Sequence, residues 1–351
     1  MTEILTSVTL ADVARAAGVS KMTVSNVINN KPGMTEKTRA RVQRAIRGTG
    51  YVVNPVARAL AGKSSNMIGV LTPRLNWPFV SEILHGASVT AEAAGLNLAI
   101  FTTASNVTLE RERAGLLRTL ADGVLLVIPS EDEHAILGDA LPVVTLGAQG
   151  KRTVQVDNHA GGRLAAQHLI DLGHRRIAHI AGQHSQLRDA SEREEGFFAG
   201  LRGAGLNLPA EYLEEGEFSE EGGERAARRL LTLAERPTAI FAANDRSAIG
   251  ALRAAQALGV RVPHDLSILG FDDIHAARVT DPPLTTIRQP LEEMGETAAR
   301  LLIDLIRGSQ PAESHIRFPA TLIVRGSTAP PGTQVRPLLN VASTEEVRVS
   351  P

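Results

Sequence analysis

From Leu10 onward, apolar residues recur three and four positions apart. Leu10, Val13, Ala14 and Ala17 therefore share one helical face. Thr9 precedes the run as an N-cap, and Asp12 stands in the first turn, where an acid complements the dipole. Gly18 ends the run, as glycine does just past a helix. Ser20 then caps a second helix whose Val24, Val27 and Ile28 face inward. Asn29, Asn30, Lys31, Pro32 and Gly33 form a loop. Thr35 caps a third helix, EKTRARVQRAIRGTG, with Val42, Ala45 and Ile46 on its inner side. Two short helices across a tight glycine turn, braced by a third, predict a helix-turn-helix.

Past Ser65 the period changes. MIGVLT, LNLAIFTT, GVLLVIP and PVVTLG read as short buried strands, separated by helical patterns such as FVSEILHGASVTAEAAG and LERERAGLLRTL. A second series follows the strand TVQV: AGGRLAAQHLIDLG, RIAHIAG, REEGFFAGLRGAG, EGGERAARRLLTLA, AIFAAND, RSAIGALRAAQALG and LSILGFDD. Apolar strands alternating with amphipathic helices predict parallel sheets covered on both faces. Two such series predict an α/β body of two similar lobes. Its ligand would lie in the crevice at the carboxyl ends of the strands.

The balance of 43% hydrophobic and 21% charged residues in 351 is that of a globular chain with two or three domains. No apolar run approaches the roughly 18 residues of a membrane span, and the N-terminus lacks the pattern of a secretory signal. Cysteine is absent, which excludes disulfides and thiolate metal sites. These features predict a cytoplasmic protein. The net charge of −1 conceals an asymmetry: residues 1–65 carry ten basic and three acidic side chains, whereas the remainder is acidic. A basic head on an acidic body suggests a polyanion-binding module joined to something else. Enzyme signatures are missing. His174, His179 and His184 lack metal-ligand spacing, Gly161-Gly162 is no phosphate loop, and no nucleophile elbow occurs. No catalytic residue, cofactor or metal is expected.

In the head, GVSKMTVSNVIN places short hydroxyls and amides on the second helix. Ser20, Thr23, Ser25 and Asn29 suit phosphate oxygens, and the helix N-terminus adds its own N–H groups. Three runs then stand together without a gap over about 55 residues: VTLADVARAAGVSxxTVSxVIN, TRxRV and GYxxNPVARALAG. They resemble the lactose-repressor family of bacterial transcription regulators. The resemblance implies a double-stranded DNA operator as partner, read by a helix in the major groove. Lys21, Met22 and Asn26 fall where the family's base-reading side chains lie. Thr9, Thr38, Tyr51, Asn54 and Val56 join the expected DNA contacts. Asn26 suits adenine N6/N7, where relatives with arginine suit guanine, and Met22 suits a thymine methyl. The competing reading gives Asn26 only a phosphate contact.

Asn54 is an N-cap, Pro55 suits the first helical position, and Gly62 stops the run VARALA. Two turns are fewer than the ~12–15 residues at which an isolated helix becomes more than marginal. The segment is expected to fold only against a partner. The resemblance implies the same helix of a second subunit, both in the minor groove, with Leu60 as the wedge between base pairs and Ala57 beside it. The alternative makes it an ordinary linker helix with Leu60 in a core.

For the body, the resemblance implies a two-lobed sensor like periplasmic binding proteins. Arg193 in the run RxxG-aromatic, and Asp272 in ILGFDDI, match effector-binding positions of the family. A guanidinium fork suits sugar hydroxyls or a carboxylate. Asn244 and Asp245 end AIFAAND in the same way, and Gln289 matches a polar hinge-region residue. Trp77 and Phe79 in RLNWPF, with Phe218, supply rings suited to a sugar's apolar faces. Each polar residue has a structural alternative, such as capping or ion pairing. Ala160 stands where the lactose repressor has an acid, so lactose-type sugars are not implied. The effector expected is a small molecule, a sugar before a purine or nucleoside.

The expected domains are a helix-turn-helix head at 1–53, a hinge helix and linker at 54–65, a sensor at 66–328 and a disordered tail at 329–351. The tail lacks a heptad repeat, so a homodimer on a near-palindromic operator is the simplest assembly. The function expected is a transcriptional repressor that its effector releases or retains. Its rival is a solute-binding protein for sugar transport without a DNA-binding role.

Overall fold

The computed structural model describes residues 8–29, 31–52, 64–147, 150–182 and 188–332. The chain divides into two compact units, Met1–Ser65 and Asn66–Pro351.

The first unit is built on α1 (Leu10–Ala17), α2 (Lys21–Ile28) and α3 (Glu36–Thr49). Val13, Ala14, Ala17, Val24, Val27 and Val42 form its core, with Leu10, Ile28, Ala45, Ile46 and Tyr51 packed around them. The Asp12 carboxylate accepts from both the N–H and the hydroxyl of Thr9, which holds its pKa below the usual range. Gly18 turns the chain with φ 57°, a left-handed conformation that a side chain would resist. The hydroxyls of Ser20 and Thr35 accept from the N–H of Thr23 and Thr38, starting α2 and α3. The expected contacts Asn54, Val56, Ala57 and Leu60 lie outside the described residues.

The second unit contains two six-stranded sheets. Its strands are β1 (Met67–Thr72), β2 (Asn97–Thr102), β3 (Gly123–Val127), β4 (Val143–Leu146), β5 (Thr153–Val156), β6 (Ile177–Ala181), β7 (Leu213–Glu215), β8 (Ala239–Ala242), β9 (Ser267–Asp272), β10 (Thr285–Arg288), β11 (His315–Phe318) and β12 (Thr321–Ile323). The first sheet runs β11-β5-β4-β3-β1-β2 and the second β12-β10-β9-β8-β6-β7. Every pairing is parallel except β10 with β12. The helices are α4 (Pro78–Ala93), α5 (Val107–Leu120), α6 (Glu133–Leu137), α7 (Asn158–Asp171), α8 (Arg188–Gly203), α9 (Glu220–Thr232), α10 (Asp245–Ala257), α11 (His275–Arg278) and α12 (Leu291–Ile306). Side chains of Asn106, Asp132, Asp157, Ser219 and Asn244 cap α5, α6, α7, α9 and α10.

The chain passes between the lobes three times. It leaves the first sheet after β5, returns after β10 to lay α12 on α4, and leaves again between β11 and β12. The later passages escape a reading by period alone, because that reading assigns each series to one lobe.

Three helix pairs cross with their backbones nearly touching. A Cβ on Gly86 of α4 would lie 2.1 Å from the Glu292 carbonyl oxygen, and one on Gly295 of α12 would lie 2.0 Å from that of Ile83. The same reciprocity joins Gly162 of α7 to Arg193 and Gly196 of α8 to His159, and joins α9 to α10 through Gly223 and Gly250. Glycine is needed here for approach, since any side chain must push the partner helix outward.

The expected tail boundary needs correction. Residues 329–332 are docked on the second lobe: Ala329 bonds Ser267 and His174, and Pro331 lies against Gly173. The rest of the tail lies outside the described residues.

Gly162→Ala is expected to destabilise the body by at least about 2 kcal/mol through overpacking. Gly203→Ala, where the space is open, should shift stability by less than about 1 kcal/mol and in the stabilising direction. Urea unfolding of both variants checks the contrast.

Candidate DNA interface and effector cavity

On α2 the apolar side is spent on the core, and the opposite side is left to solvent. Lys21 and Met22 are exposed, Met22 to 69%, while Thr23, Ser25, Asn26 and Asn29 are half-buried. Several of the short polar groups are already engaged. The Ser20 hydroxyl shares a 3.0 Å bond with that of Thr23, and the Asn29 amide donates to the Ser25 carbonyl and hydroxyl. Thr38 is bonded to Thr35 at 2.9 Å, and Tyr51 packs on the core. A phosphate contact from any of these hydroxyls must therefore share it with a cap. Among the described residues, Lys21, Met22 and Asn26 take part in no such cap.

In the second unit, one cavity of about 920 Å³, counting the part open to solvent, lies between the lobes. Trp77, Phe79, Arg193, Phe218, Asn244, Asp272 and Gln289 all line it. Asp245 does not, which corrects the expectation for it. It is wholly buried, accepting from the Thr286 hydroxyl at 2.5 Å and from the Ile274 N–H at 2.9 Å. Burial, then the nearby Asp272, raises its pKa well above the carboxylate range. Its work is to brace the backbone that carries Ile274, which is itself a lining residue.

Arg193 projects from α8 and is only 6% exposed. Its Nε and Nη2 donate to Asn158 Oδ1 at 3.3 and 2.9 Å, and its Nη1 donates to the Ala243 carbonyl. Its guanidinium carbon sits 3.5 Å from the centroid of the Phe271 ring. Burial pulls its pKa down, and Asp272, Asp189 and Asp245 push it back up.

Asp272 ends β9 with φ 119°, and Asp273 follows at φ 62°. Such conformations cost roughly 1–3 kcal/mol each and persist only when their surroundings enforce them. Arg288 and Arg325, with Arg278 further off, grip the buried Asp273 carboxylate, pinning the turn. Asp272 is thereby aimed at the cavity, where Gln289 Nε2 donates to it at 2.6 Å. Burial lifts its pKa to about 6 against the pull of Arg193 and Gln289.

The aromatic walls are fixed by similar means. Trp77 precedes α4, Pro78 starts that helix, and the Trp77 and Phe79 rings stand 5.8 Å apart. Phe218 takes φ 53°, and its ring covers Gly182, where a Cβ would lie 2.0 Å from a ring carbon. The Asn244 amide donates to the Phe218 carbonyl, and its oxygen caps α10.

Four further polar residues line the cavity: Gln155, Asn158, Asp189 and Arg246. Gln155 and Asn158 stand at the carboxyl end of β5, so the strand-end rule had the signal for them. Asp189 lies one helical turn before Arg193, hence on the same face of α8. Its Oδ1 is buried without a hydrogen-bond partner among the described residues, and burial lifts its pKa to about 6 despite Arg193. Ala160 is not a lining residue; its N–H meets the Asp157 cap. His174 is structural, bonding Thr238, Ser267 and Ala329. Among the described residues no cluster of three or more metal-ligating groups occurs, and no helix is long and apolar enough to cross a membrane.

A helix-turn-helix head joined to a two-lobed α/β body with a cavity between its lobes defines an effector-responsive transcription regulator. Residues 9–54 match the family described as bacterial regulatory proteins, lacI family, and residues 166–328 match a periplasmic binding protein-like domain. The HTH-type transcriptional repressor PurR of Yersinia enterocolitica is 35% identical over 331 residues, covering 92% of this chain and 97% of its own. A structure titled as the transcriptional regulator CelR-cellobiose complex is 35% identical, with TM-score 0.69, covering 91% of this chain and 99% of its own. The lac repressor dimer bound to operator and the anti-inducer ONPF is 32% identical, with TM-score 0.83, covering 92% of this chain and all of its own. The chain belongs to the lacI family of bacterial regulatory proteins. It is a DNA-binding regulator and not an enzyme.

The two carboxyls raised to about 6, Asp189 and Asp272, have a consequence for stability. An acid whose folded pKa exceeds its unfolded value stabilises the fold when protonated. That contribution is complete below 3.8 and is lost as pH rises through about 6. Asp189→Asn is therefore expected to melt above the parent at about pH 8, by roughly 2–4 °C per kcal/mol relieved, and to match it near pH 4. Thermal melts at the two pH values check the sign.

Proposed function

We propose that this protein is a dimeric transcriptional repressor that leaves its operator when a neutral, polyhydroxylated effector of the sugar class fills the interlobe cavity. The observation that carries the reading is the cavity itself. Arg193, Asn244, Asp272 and Gln289 supply a polar rim between the rings of Trp77 and Phe79 on one lobe and Phe218 on the other. Rings over apolar ring faces, with forked donors and carboxylate acceptors at the edge, are what a sugar requires. The likeness to a regulator titled with bound cellobiose supports the same ligand class.

Residues from both lobes line the cavity, so a ligand that touches both favours the closed arrangement. It can act on DNA binding only through its differential affinity for the two states. The head of each subunit takes one half-site, with Met22 and Asn26 toward base edges and Ser20, Thr23 and Ser25 toward phosphates. The protein works where the operator is, in the cytoplasm.

Selection of operators from random duplexes, repeated with a panel of neutral sugars and of purines, tests this. A near-palindrome released by one sugar is the expected result. A sequence released only by a purine, or held more tightly by the ligand, overturns the ligand class or the sign. Failure to select any sequence overturns the regulator. In the same assay Asn26→Arg is expected to exchange an A·T preference for G·C at one position of each half-site. That exchange is worth about 1–3 kcal/mol of discrimination.

A further inference from the structure

Asp189 stands apart from the other polar groups of the cavity. Arg193 directs its bonds to Asn158 and Ala243, and Asp272 is met by Gln289. The Asp189 Oδ1 is enclosed and accepts from no group among the described residues. A buried polar atom without a partner in a folded protein calls for a physical reason. Its Oδ2 lies 3.6 Å from where a Cβ on Gly147 would stand. Gly147 directly follows β4 of the first lobe, whereas Asp189 opens α8 of the second. The carboxyl thus stands at the seam of the two lobes, on the cavity wall, with one enclosed oxygen that has no partner among the described residues.

Charge gives the second half of the argument. The charged residues lining the cavity are Arg193 and Arg246 against Asp189 and Asp272, which balance. Without Asp189 the lining would be net cationic and would attract acids. The other charges acting on Asp189 are Arg188, Glu192 and Arg317, of which only Glu192 is acidic. Asp189 is therefore the group that keeps this end of the cavity from becoming an anion site.

We propose that Asp189 sets ligand choice in this cavity, accepting a hydroxyl donor from a neutral polyol and turning away sugar acids and sugar phosphates. The inference rests on the proposed reading of the cavity and deepens it. A site that holds a buried acceptor rejects the analogue lacking the matching donor far more strongly than an apolar pocket rejects a shape difference.

The test uses the full chain near pH 8, with matched pairs of probes: ribose and ribose 5-phosphate, glucose and gluconate, cellobiose and cellobionate. Calorimetry measures affinity, and thermal melts establish that each variant is folded. The parent is expected to bind at least one neutral sugar and to reject its anionic counterpart. Asp189→Asn and Asp189→Ser are each expected to lose about 10- to 100-fold for the neutral sugar, the equivalent of about 1.4–2.8 kcal/mol. Their neutral-to-anionic ratio should fall at least tenfold, a change that a merely structural role would not produce. Variants that keep the parent's ratio overturn the inference alone, whereas a parent that prefers the anionic partner overturns the inference and the neutral ligand class together. A parent that answers no sugar overturns the proposed ligand class and this inference together.

Discussion

The guanidinium of Arg193 is a buried cation, and a buried cation is tolerable only when its donors and its charge are met. Here Asn158 and the Ala243 carbonyl meet the donors, the Phe271 ring covers one face, and Asp272 and Asp189 offset the charge. Asn158 opens α7, so it meets Arg193 only where α8 lies against α7 at backbone distance. Gly162 and Gly196 permit that approach. The depth of one helix crossing therefore fixes where the cation stands, and through it the charges and hydrogen bonds of half the cavity.

The cavity is assembled at some expense to the fold. Asp272 and Phe218 hold left-handed backbone, and Asp272 and Asp189 hold carboxyls above their ordinary pKa. What sustains them is rigid support just behind the wall. Asp273 is gripped by arginines, Asp245 ties Ile274 to β10, and Asn244 joins the Phe218 loop to the start of α10. The groups that face ligand are thus held by groups that never touch it. A pre-set wall of this kind loses little freedom on binding.

Much of this was legible in the sequence where the local signal is complete within a few residues. Thr9, Gly18, Ser20 and Thr35 mark helix ends by their own chemistry, and the three helices follow from them. Strand-end residues such as Asn244 and Asp272 follow from the α/β pattern. The return of α12 to the first lobe had no local signal, because an amphipathic helix does not state which sheet it covers. Asp245 misled for a related reason: its position at a strand end is right, but the side chain turns inward to Thr286. Asp189 was missed because a lone acid at a helix start reads as a solvated group. Only the fold shows that its Oδ1 is enclosed.

The three passages between lobes bear on how such a protein can be taken apart. The first lobe is made of two separated stretches of chain, and so is the second. Neither exists as one continuous segment, so no single cut yields a self-sufficient lobe. The matched region 166–328 itself runs through strands and helices of both. The boundary at Ser65 and Asn66 is different, since each side keeps its own core. Recombination can exchange what is read on DNA against what is sensed at that one joint, while the sensor passes from ancestor to descendant whole.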